Sequence, residues 1–344
     1  MYSTKKDERE KIYRVLELFS GIGSMRCAIQ RSGRLFELIA AIDIDPVANS
    51  IYNHNFGSDT AKNENILGLT AKCIAKLDIE VILMAPPSQL LSCNGAKRFA
   101  RNAGDHRGNP FVHICNMLDK LHTVQFIVME NSKSFVRSQA RKLYKRRLSA
   151  AGFHYKEYVL SPDDFGVPNT RRRYYCVARR TPFDTPTGSI VRQPNVNHVV
   201  PLKTIGEIVE REGEHLDKYL INLRVLRKRL RVIDVCTPDS TNSRCFTKSY
   251  TRHTGGTGSI YSPLLRVDFD SEYRDMRCAE CDEHRMFFLK RLKMRYFSPR
   301  EIARLMCFPE NLSFPSEVTD EQCYQILGNS PNVLVLSSLI DEIE

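Results

Sequence analysis

Short apolar runs alternate with amphipathic segments through the first half of the chain. Helical spacing of apolar positions marks Ile114–Leu121 and Ser138–Ala151. This alternation is typical of an α/β fold, in which helices cover both faces of a parallel sheet. The predicted strands are Tyr13–Phe19, Leu38–Asp43, Val81–Ala85, Phe126–Glu130, Tyr155–Leu160 and Tyr174–Ala178.

The composition of the chain changes near Thr181, where several prolines interrupt any regular helix or strand. Beyond this point Leu223–Arg231 is basic and compatible with a helix, and the apolar segment Val333–Ile343 has the character to rejoin the first domain. The sequence therefore predicts one domain from residues 11–180 plus 320–344, and a second region from residues 181–319.

Charge and cysteine content narrow the class of protein. The 344 residues include 51 Lys and Arg against 40 Asp and Glu, a formal net charge of +11. This balance fits a polyanionic partner, although a merely basic protein has the same charge. No apolar run is long enough to cross a membrane, and the first residues are charged, so we expect a cytoplasmic or nuclear protein. In a reducing compartment the 11 cysteines are not a disulfide framework.

A glycine-containing turn follows the first strand, in Phe19-Ser20-Gly21-Ile22-Gly23, and Asp43 ends the second strand. Glycines let the backbone approach a ligand, and an acid at the tip of the second strand binds ribose hydroxyls in Rossmann-type sites. The pattern has no third glycine, which argues against NAD and favours a different adenosine ligand. A tight turn that binds nothing is the alternative.

Several further motifs stand in the order of the cytosine-C5 methyltransferase motifs, and the chain resembles that family over about residues 13–343. A loop from Cys245 to Tyr250, followed by Gly256-Thr257-Gly258-Ser259, resembles the signature of the Dnmt2-type tRNA methyltransferases. The other motifs are Pro86-Pro87-Ser88-Gln89, Glu130-Asn131, Arg171-Arg172-Arg173 and Leu327-Gly328-Asn329-Ser330.

The resemblance implies a class I S-adenosylmethionine-dependent methyltransferase domain, Rossmann-like, with a smaller target-recognition domain. It also implies S-adenosylmethionine as cofactor and a cytosine in a tRNA anticodon loop as the target, tRNA-Asp especially. We expect a monomer that binds tRNA and no membrane. The cofactor-binding residues implied by the resemblance are Phe19, Gly21, Ile22, Gly23, Ser24, Asp43, Ile66, Leu67, Ala85 and Asn329. The implied catalytic positions are Ser88, Glu130, Arg171 and Arg173.

Ser88 departs from the family, which has cysteine at this position. In the family a cysteine thiolate adds to C6 of cytosine while a carboxylic acid, here Glu130, holds N3. A serine hydroxyl stays protonated unless a base activates it, so the sequence predicts low or absent turnover. Cys93 is a conceivable replacement thiol, but an ordinary loop cysteine is the better interpretation.

Three functions remain open: a tRNA methyltransferase weakened by Ser88, a protein that binds tRNA and S-adenosylmethionine without catalysis, and a DNA cytosine-C5 methyltransferase. Two basic clusters, at residues 141–147 and 224–231, favour contacts with phosphates. The aromatic residues Phe246, Tyr250 and Tyr261 fit either base stacking or core packing. No metal is expected, because Cys278, Cys281 and His284 form only half of a zinc site.

Overall fold

The computed structural model describes residues 11–88, 109–185, 188–193, 201–253 and 255–343. These residues form two compact units. The first comprises the described residues up to Tyr158, with Tyr174–Val191 and Leu336–Glu344. The second comprises Val159–Arg173 and Arg192–Val335. This division does not test the domain boundaries that the sequence predicts, which remain a prediction.

An eight-stranded sheet forms the centre of the first unit, with the strand order β3-β2-β1-β4-β5-β7-β6-β8. Strand β1 pairs in parallel with β2 and β4, and β4 pairs in parallel with β5. All six predicted strands are present, with ends within two residues of the prediction. The strands are β1 Tyr13–Leu18, β2 Phe36–Asp43, β3 Ala61–Asn63, β4 Val81–Met84, β5 Phe126–Ser132, β6 His154–Leu160, β7 Arg173–Arg179 and β8 Ile190–Val191.

The central strands are buried on both faces, which is why they read as continuous apolar runs. Every residue of β4 is at most 1% exposed. Glu17 on β1 is a polar exception, with no exposed surface, and β5 carries the buried Glu130 and Asn131.

Helices of the first unit connect these strands. The predicted helix Ile114–Leu121 is wrong in its bounds: α4 starts at Pro110 and ends at Cys115, and a 3₁₀ turn follows at Leu118–Lys120. The Asn109 side chain accepts hydrogen bonds from the backbone N–H groups of residues 111 and 112, which sets the helix start. The helices are α1 Ser24–Arg31, α2 Pro46–Phe56, α3 Ala71–Lys76, α4 Pro110–Cys115 and α5 Gln139–Ala150.

The second unit is mainly helical, with one short parallel strand pair. Its strands are β9 Val235–Cys236 and β10 Ile260–Tyr261, and its helices are α6 Leu223–Arg229, α7 Arg266–Cys278, α8 Asp282–Arg291, α9 Pro299–Leu305 and α10 Asp320–Asn329.

The last helix, α11 Val333–Ile340, leads back into the first unit. There the guanidinium group of Arg34 donates to the carbonyl oxygen of Asp341 at 3.1 Å, and Glu342 pairs with Lys156. Leu336 and the described residues after it belong to the first unit. That residues 320–344 join the first domain stays a prediction. Among the residues described, no helix is both long and apolar enough to cross a bilayer.

Candidate functional site

The glycine loop lies between β1 and α1, in the first unit. Phe19, Gly21 and Gly23 all have positive φ angles, of 53°, 53° and 87°. A Cβ atom on Gly21 would meet nothing within 4 Å, whereas one on Gly23 would stand 2.5 Å from the Phe56 ring. Gly21 therefore leaves open space beside the loop, while Gly23 is required by the close packing of α2.

Asp43 connects the loop to the end of β2. Its Oδ2 accepts the Gly21 N–H at 2.8 Å, and its Oδ1 accepts the Asp45 N–H at 2.9 Å. Burial raises the pKa of Asp43, and these backbone hydrogen bonds oppose the increase. Each oxygen retains a lone pair, so the carboxylate can accept further hydrogen bonds from a ligand.

The carboxyl ends of three strands meet at this loop. The Ser20 N–H donates to Ile42 O at 3.2 Å, and the Ala85 N–H donates to Leu18 O at 3.3 Å. Next to Asp43, Ile44 is 66% exposed, and it was not among the predicted site residues. An exposed apolar side chain beside a carboxylate at a strand tip suits the base and ribose of a nucleoside.

The predicted residues Ile66 and Leu67 lie in a 3₁₀ turn after β3, within the same unit. The Asn65 side chain accepts the Leu67 N–H at 3.0 Å and so fixes the turn, and Ile66 is buried. Ile22 and Ser24 are also buried, at 1% and 3% exposure.

A buried carboxyl group lies two residues before the loop. Glu17 Oε2 accepts a 2.7 Å hydrogen bond from the Tyr52 hydroxyl on α2. Burial raises the pKa of Glu17 to about 7, while the hydrogen bond from Tyr52 and the charge of Arg26 on α1 lower it. The spacing of apolar residues did not predict this buried carboxyl group, because Glu17 lies within a strand whose neighbouring residues are apolar.

Ser88 follows β4 in a turn that another strand holds in place. The Asn131 side chain, at the end of β5, donates to Pro86 O at 2.8 Å. Its neighbour Glu130 is only 5% exposed. The motifs Pro86-Pro87-Ser88 and Glu130-Asn131 are therefore joined within the first unit. Among the described residues of this unit, no basic side chain hydrogen-bonds the Ser88 hydroxyl.

Arg171 belongs to the second unit and is 1% exposed. Its Nη1 donates to Phe246 O at 2.8 Å, and its Nη2 donates to Gly328 O at 2.9 Å and to Ser330 O at 2.7 Å. Arg171 thus joins its own motif to two others that are distant in the sequence, the loop after Cys245 and the segment that contains Gly328 and Ser330.

Arg173 and Cys245 lie beside Arg171. The Cys245 sulfur is 3.2 Å from Arg171 Nη1 and 3.8 Å from Arg173 Nη2. Arg173 is partly exposed, unlike Arg171. The predicted cofactor residue Asn329 is exposed at the end of α10, in the same unit.

The aromatic residues near this loop belong to the core. Phe246, Tyr250 and Tyr261 are at most 3% exposed. Phe246 and Tyr250 pack edge to face, with ring centroids 5.0 Å apart. Core packing, and not base stacking, accounts for all three.

The basic cluster on α5 divides into two sets. Arg141 and Lys145 form ion pairs with the buried Glu157 at 2.6 and 3.1 Å. Lys142, Arg146 and Arg147 are exposed to solvent. On α6, the exposed Arg227 pairs with Asp282. The other exposed cations of this cluster are Arg224, Lys228 and Arg229 on α6 and Arg231 in the 3₁₀ turn that follows.

Some sequence predictions fall on other parts of the chain. Cys93 lies outside the described residues. Cys278 and Cys281 are exposed. Within the ranges that the structure describes, no group of three or more His, Cys, Asp or Glu side chains is placed to hold a metal ion.

Comparison with known proteins gives consistent matches over nearly the whole chain. The family model of C-5 cytosine-specific DNA methylases matches residues 13–344. The chain is 41% identical over 333 residues to a tRNA (cytosine(38)-C(5))-methyltransferase of Spodoptera frugiperda, covering 95% of this chain and 98% of that protein. It is 34% identical to the protein of the same name in Schizosaccharomyces pombe, covering 99% and 97%. A crystal structure of a Spodoptera frugiperda DNMT2 mutant is similar with a TM-score of 0.86 and 38% identity, covering 96% and 99%.

Proposed function

Since the chain belongs to the C-5 cytosine-specific DNA methylase family, and within it to the Dnmt2 branch, we propose that it is an S-adenosylmethionine-dependent tRNA cytosine-C5 methyltransferase whose turnover is limited by Ser88. The proposal rests on one observation. The turn before the nucleophile position is held against the Glu130-Asn131 motif, but the nucleophile position itself is a serine. Asn131 holds the turn before Ser88, and Glu130 lies beside Asn131. The target that we infer is an anticodon-loop cytosine, in keeping with the names of the relatives. We infer a monomer in the cytoplasm or nucleus.

The residues around the glycine loop fit S-adenosylmethionine. Gly21 leaves room where a side chain would stand, and Asp43 retains acceptor capacity for the two ribose hydroxyls. The exposed face of Ile44 suits one face of adenine. When bound, S-adenosylmethionine supplies an electrophilic methyl group on a sulfonium centre. The N–H groups at the start of α1 would hold the other end of the cofactor.

The catalytic roles follow from the chemistry of cytosine. Addition of an oxygen or sulfur nucleophile to C6 makes C5 electron-rich, and a proton held at N3 stabilises the adduct. We assign the addition to Ser88 Oγ and the proton at N3 to Glu130. The Ser88 proton must leave as the oxygen adds. A hydroxyl group without an adjacent base does this slowly, which is the physical reason for low turnover.

A single-turnover experiment tests the proposal. Methyl transfer from labelled S-adenosylmethionine to tRNA-Asp is measured for the unmodified chain, for Ser88→Cys and for Ser88→Ala. We expect Ser88→Cys to be faster by at least about 100-fold, because the thiol supplies a thiolate at neutral pH. Ser88→Ala serves as the control for any residual contribution of the hydroxyl. Transfer by the unmodified chain as fast as by Ser88→Cys would contradict the role of Ser88.

A second function, tRNA and cofactor binding without catalysis, is favoured because no described residue of the first unit hydrogen-bonds the Ser88 hydroxyl with a basic side chain. It requires that Ser88→Ala and the unmodified chain transfer equally little while both bind tRNA and S-adenosylmethionine. Competition between tRNA and duplex DNA in the Ser88→Cys variant decides the nucleic acid: greater transfer to DNA would reject the tRNA assignment.

A further inference from the structure

A fully buried carboxyl group precedes the glycine loop. Glu17 has no exposed surface, and the Tyr52 hydroxyl donates a 2.7 Å hydrogen bond to its Oε2. Within the part of the chain that the structure describes, Glu17 Oε1 is enclosed and has no hydrogen-bond partner. A buried carboxylate is stabilised by donors to both of its oxygens, so this environment favours the neutral, protonated form.

Titratable groups face Glu17 from three neighbouring elements, and they are Arg26 and Cys27 on α1, Tyr52 on α2 and Asp43 on β2. The Arg26 guanidinium group lies 4.4 Å from the centre of the Phe56 ring, and its Nε and Nη1 atoms lack hydrogen-bond partners among the described residues. Burial and the charge of Glu17 raise the pKa of Cys27 to about 12, so this thiol stays neutral.

The balance of these influences supports a protonated Glu17. Burial raises its pKa to about 7, the hydrogen bond from Tyr52 and the neighbouring Arg26 lower it, and the charge of Asp43 raises it. Asp43 itself differs from Glu17, because each of its oxygens accepts a backbone N–H group. The two carboxyl groups therefore differ in the donors that would stabilise an ionised form.

The strand register brings Glu17 close to the cofactor-binding loop. Glu17 on β1 pairs with Ala41 on β2, and Asp43 lies two residues after Ala41. Side chains two residues apart on a strand point to the same face, so Glu17 and Asp43 share a face of the sheet, with Cα atoms about 8 Å apart. A charge that is bound beside Asp43 therefore acts on Glu17 across buried protein, where charges interact more strongly than in water.

S-adenosylmethionine and its demethylated product, S-adenosylhomocysteine, have similar shapes but differ by one positive charge. The sulfonium centre makes the first a net cation, whereas the thioether of the second is neutral. A cation near Glu17 favours its ionised form, and a neutral ligand does so less. The coupling is reciprocal, so an ionised Glu17 stabilises the bound cation by the same free energy.

We propose that Glu17 is protonated in the cofactor-free protein and ionises when S-adenosylmethionine binds, which favours the cationic cofactor over neutral S-adenosylhomocysteine. The O–H bond of the carboxyl group breaks, its electron pair stays on the oxygen, and the proton passes to the buffer. This inference rests on the proposed cofactor. It makes Glu17 a residue that determines specificity through its charge.

Calorimetry measures the proton release. S-adenosylmethionine binding is recorded between pH 6 and 8 in pairs of buffers with different ionisation enthalpies. A tenfold coupling, the size expected for one charge across about 10 Å of protein, releases about 0.5 proton at about pH 6.5 and raises the affinity about 5-fold from pH 6 to pH 8.

Glu17→Gln is the reference for these values. The α-amino group of the ligand titrates in a similar range, and glutamine cannot ionise, so the difference between the unmodified chain and Glu17→Gln isolates the Glu17 proton. Glu37→Gln is the matched control, because Glu37 is exposed and lies at the other end of β2 from Asp43. We expect Glu37→Gln to behave as the unmodified chain does.

S-adenosylhomocysteine is the matched ligand. We expect the Glu17-dependent proton release to be smaller with S-adenosylhomocysteine than with S-adenosylmethionine. The preference for S-adenosylmethionine should therefore increase with pH in the unmodified chain relative to Glu17→Gln.

Tyr52→Phe provides a second variant that keeps the carboxyl group. It removes the hydrogen bond that lowers the pKa of Glu17, so we expect the maximum of proton release to move to higher pH. A carboxyl group with a purely structural role gives no such movement. Thermal unfolding monitors both variants, and Tyr52→Phe still tests the inference if Glu17→Gln does not fold.

The outcomes distinguish this inference from the proposed function. Equal proton release by the unmodified chain and Glu17→Gln, equal Glu17-dependent release with the two ligands, or no movement of the maximum in Tyr52→Phe overturns the role of Glu17 alone. If neither ligand binds to the unmodified chain, the proposed cofactor is contradicted, and the role of Glu17 is rejected with it.

Discussion

The guanidinium group of Arg171 donates a 2.9 Å hydrogen bond to the carbonyl oxygen of Gly328, a residue 157 positions later in the chain. The same arginine binds the loop that follows Cys245 through Phe246 O. Gly328 lies directly against that loop: a Cβ atom on Gly328 would stand 2.2 Å from Lys248 N and 2.4 Å from the Thr247 carbonyl carbon. Three motifs that are far apart in sequence therefore meet around one buried cation.

Gly328→Ala should destabilise the protein, because the added methyl group overlaps backbone atoms that cannot rotate away. We expect a loss of about 2 kcal/mol or more in the free energy of unfolding, measured by urea denaturation. Gly255→Ala in the same unit is the matched control, since its Cβ atom would lie at an ordinary 3.6 Å from Val232. Equal stability of the two variants would show that the loop does not pack on Gly328 as described.

Glu17→Gln should remove a pH dependence of stability. The pKa of Glu17 is raised by burial to about 7 from an ordinary value of 4.5. The folded protein therefore binds this proton more tightly than the unfolded chain, and the stability decreases as the pH rises from about 4.5 to 7. The difference corresponds to about 3 kcal/mol.

Glutamine cannot ionise, and its amide oxygen can still accept the hydrogen bond from Tyr52. We expect the free energy of unfolding of Glu17→Gln, relative to that of the unmodified chain, to be higher at pH 8 than at pH 5. Denaturant unfolding at both pH values measures this difference. Glu64→Gln is the control, since Glu64 is exposed in the same unit. A Glu17→Gln effect that is the same at both pH values would contradict the buried, protonated carboxyl group.

Asp43→Asn should weaken cofactor binding. Asparagine keeps one acceptor oxygen, but it loses either the hydrogen bond from Gly21 or that from Asp45, and it carries no charge for the ribose hydroxyls. We expect the dissociation constant of S-adenosylmethionine to rise at least about 10-fold in calorimetry, which is about 1.4 kcal/mol. Asp59→Asn, at an exposed turn with a φ of 62° that asparagine tolerates, should bind as the unmodified chain does. Equal affinities of the two variants would reject Asp43 as a ribose ligand.

The two sets of cations on α5 should differ in RNA binding. Lys142→Ala with Arg146→Ala removes two exposed charges, so we expect weaker tRNA binding and a salt dependence lower by about 2 in the slope of log K against log salt. Arg141→Met instead breaks an ion pair with buried Glu157, and it should lower stability with little change in that slope. The reverse pattern, measured by filter binding at several salt concentrations, would show that phosphates do not approach the exposed face of α5.

The sequence determined six of the eight strands in the sheet of the first unit, but not the short edge strands β3 and β8. The strands are buried on both faces, and their apolar runs stop where the backbone leaves the core, so hydrophobicity alone placed six strands to within two residues. The helix at Pro110–Cys115 was misplaced because its start is set by the Asn109 cap, and a periodicity of apolar residues does not contain that information. The glycine loop and Asp43 could also be predicted from the sequence, since each lies at the end of a strand.

Only the tertiary structure decided which polar side chains act together. Arg171, Cys245 and Gly328 are separated by 74 or more residues, and nothing local in the sequence indicates that the guanidinium group of Arg171 is used by backbone carbonyl oxygens. The division of the α5 cations has the same origin, because Glu157 binds two of them from a neighbouring strand. The local pattern of apolar and turn-forming residues predicts which positions are buried and where the chain turns. The partner of a charged group depends instead on which distant segment the fold brings within hydrogen-bonding distance.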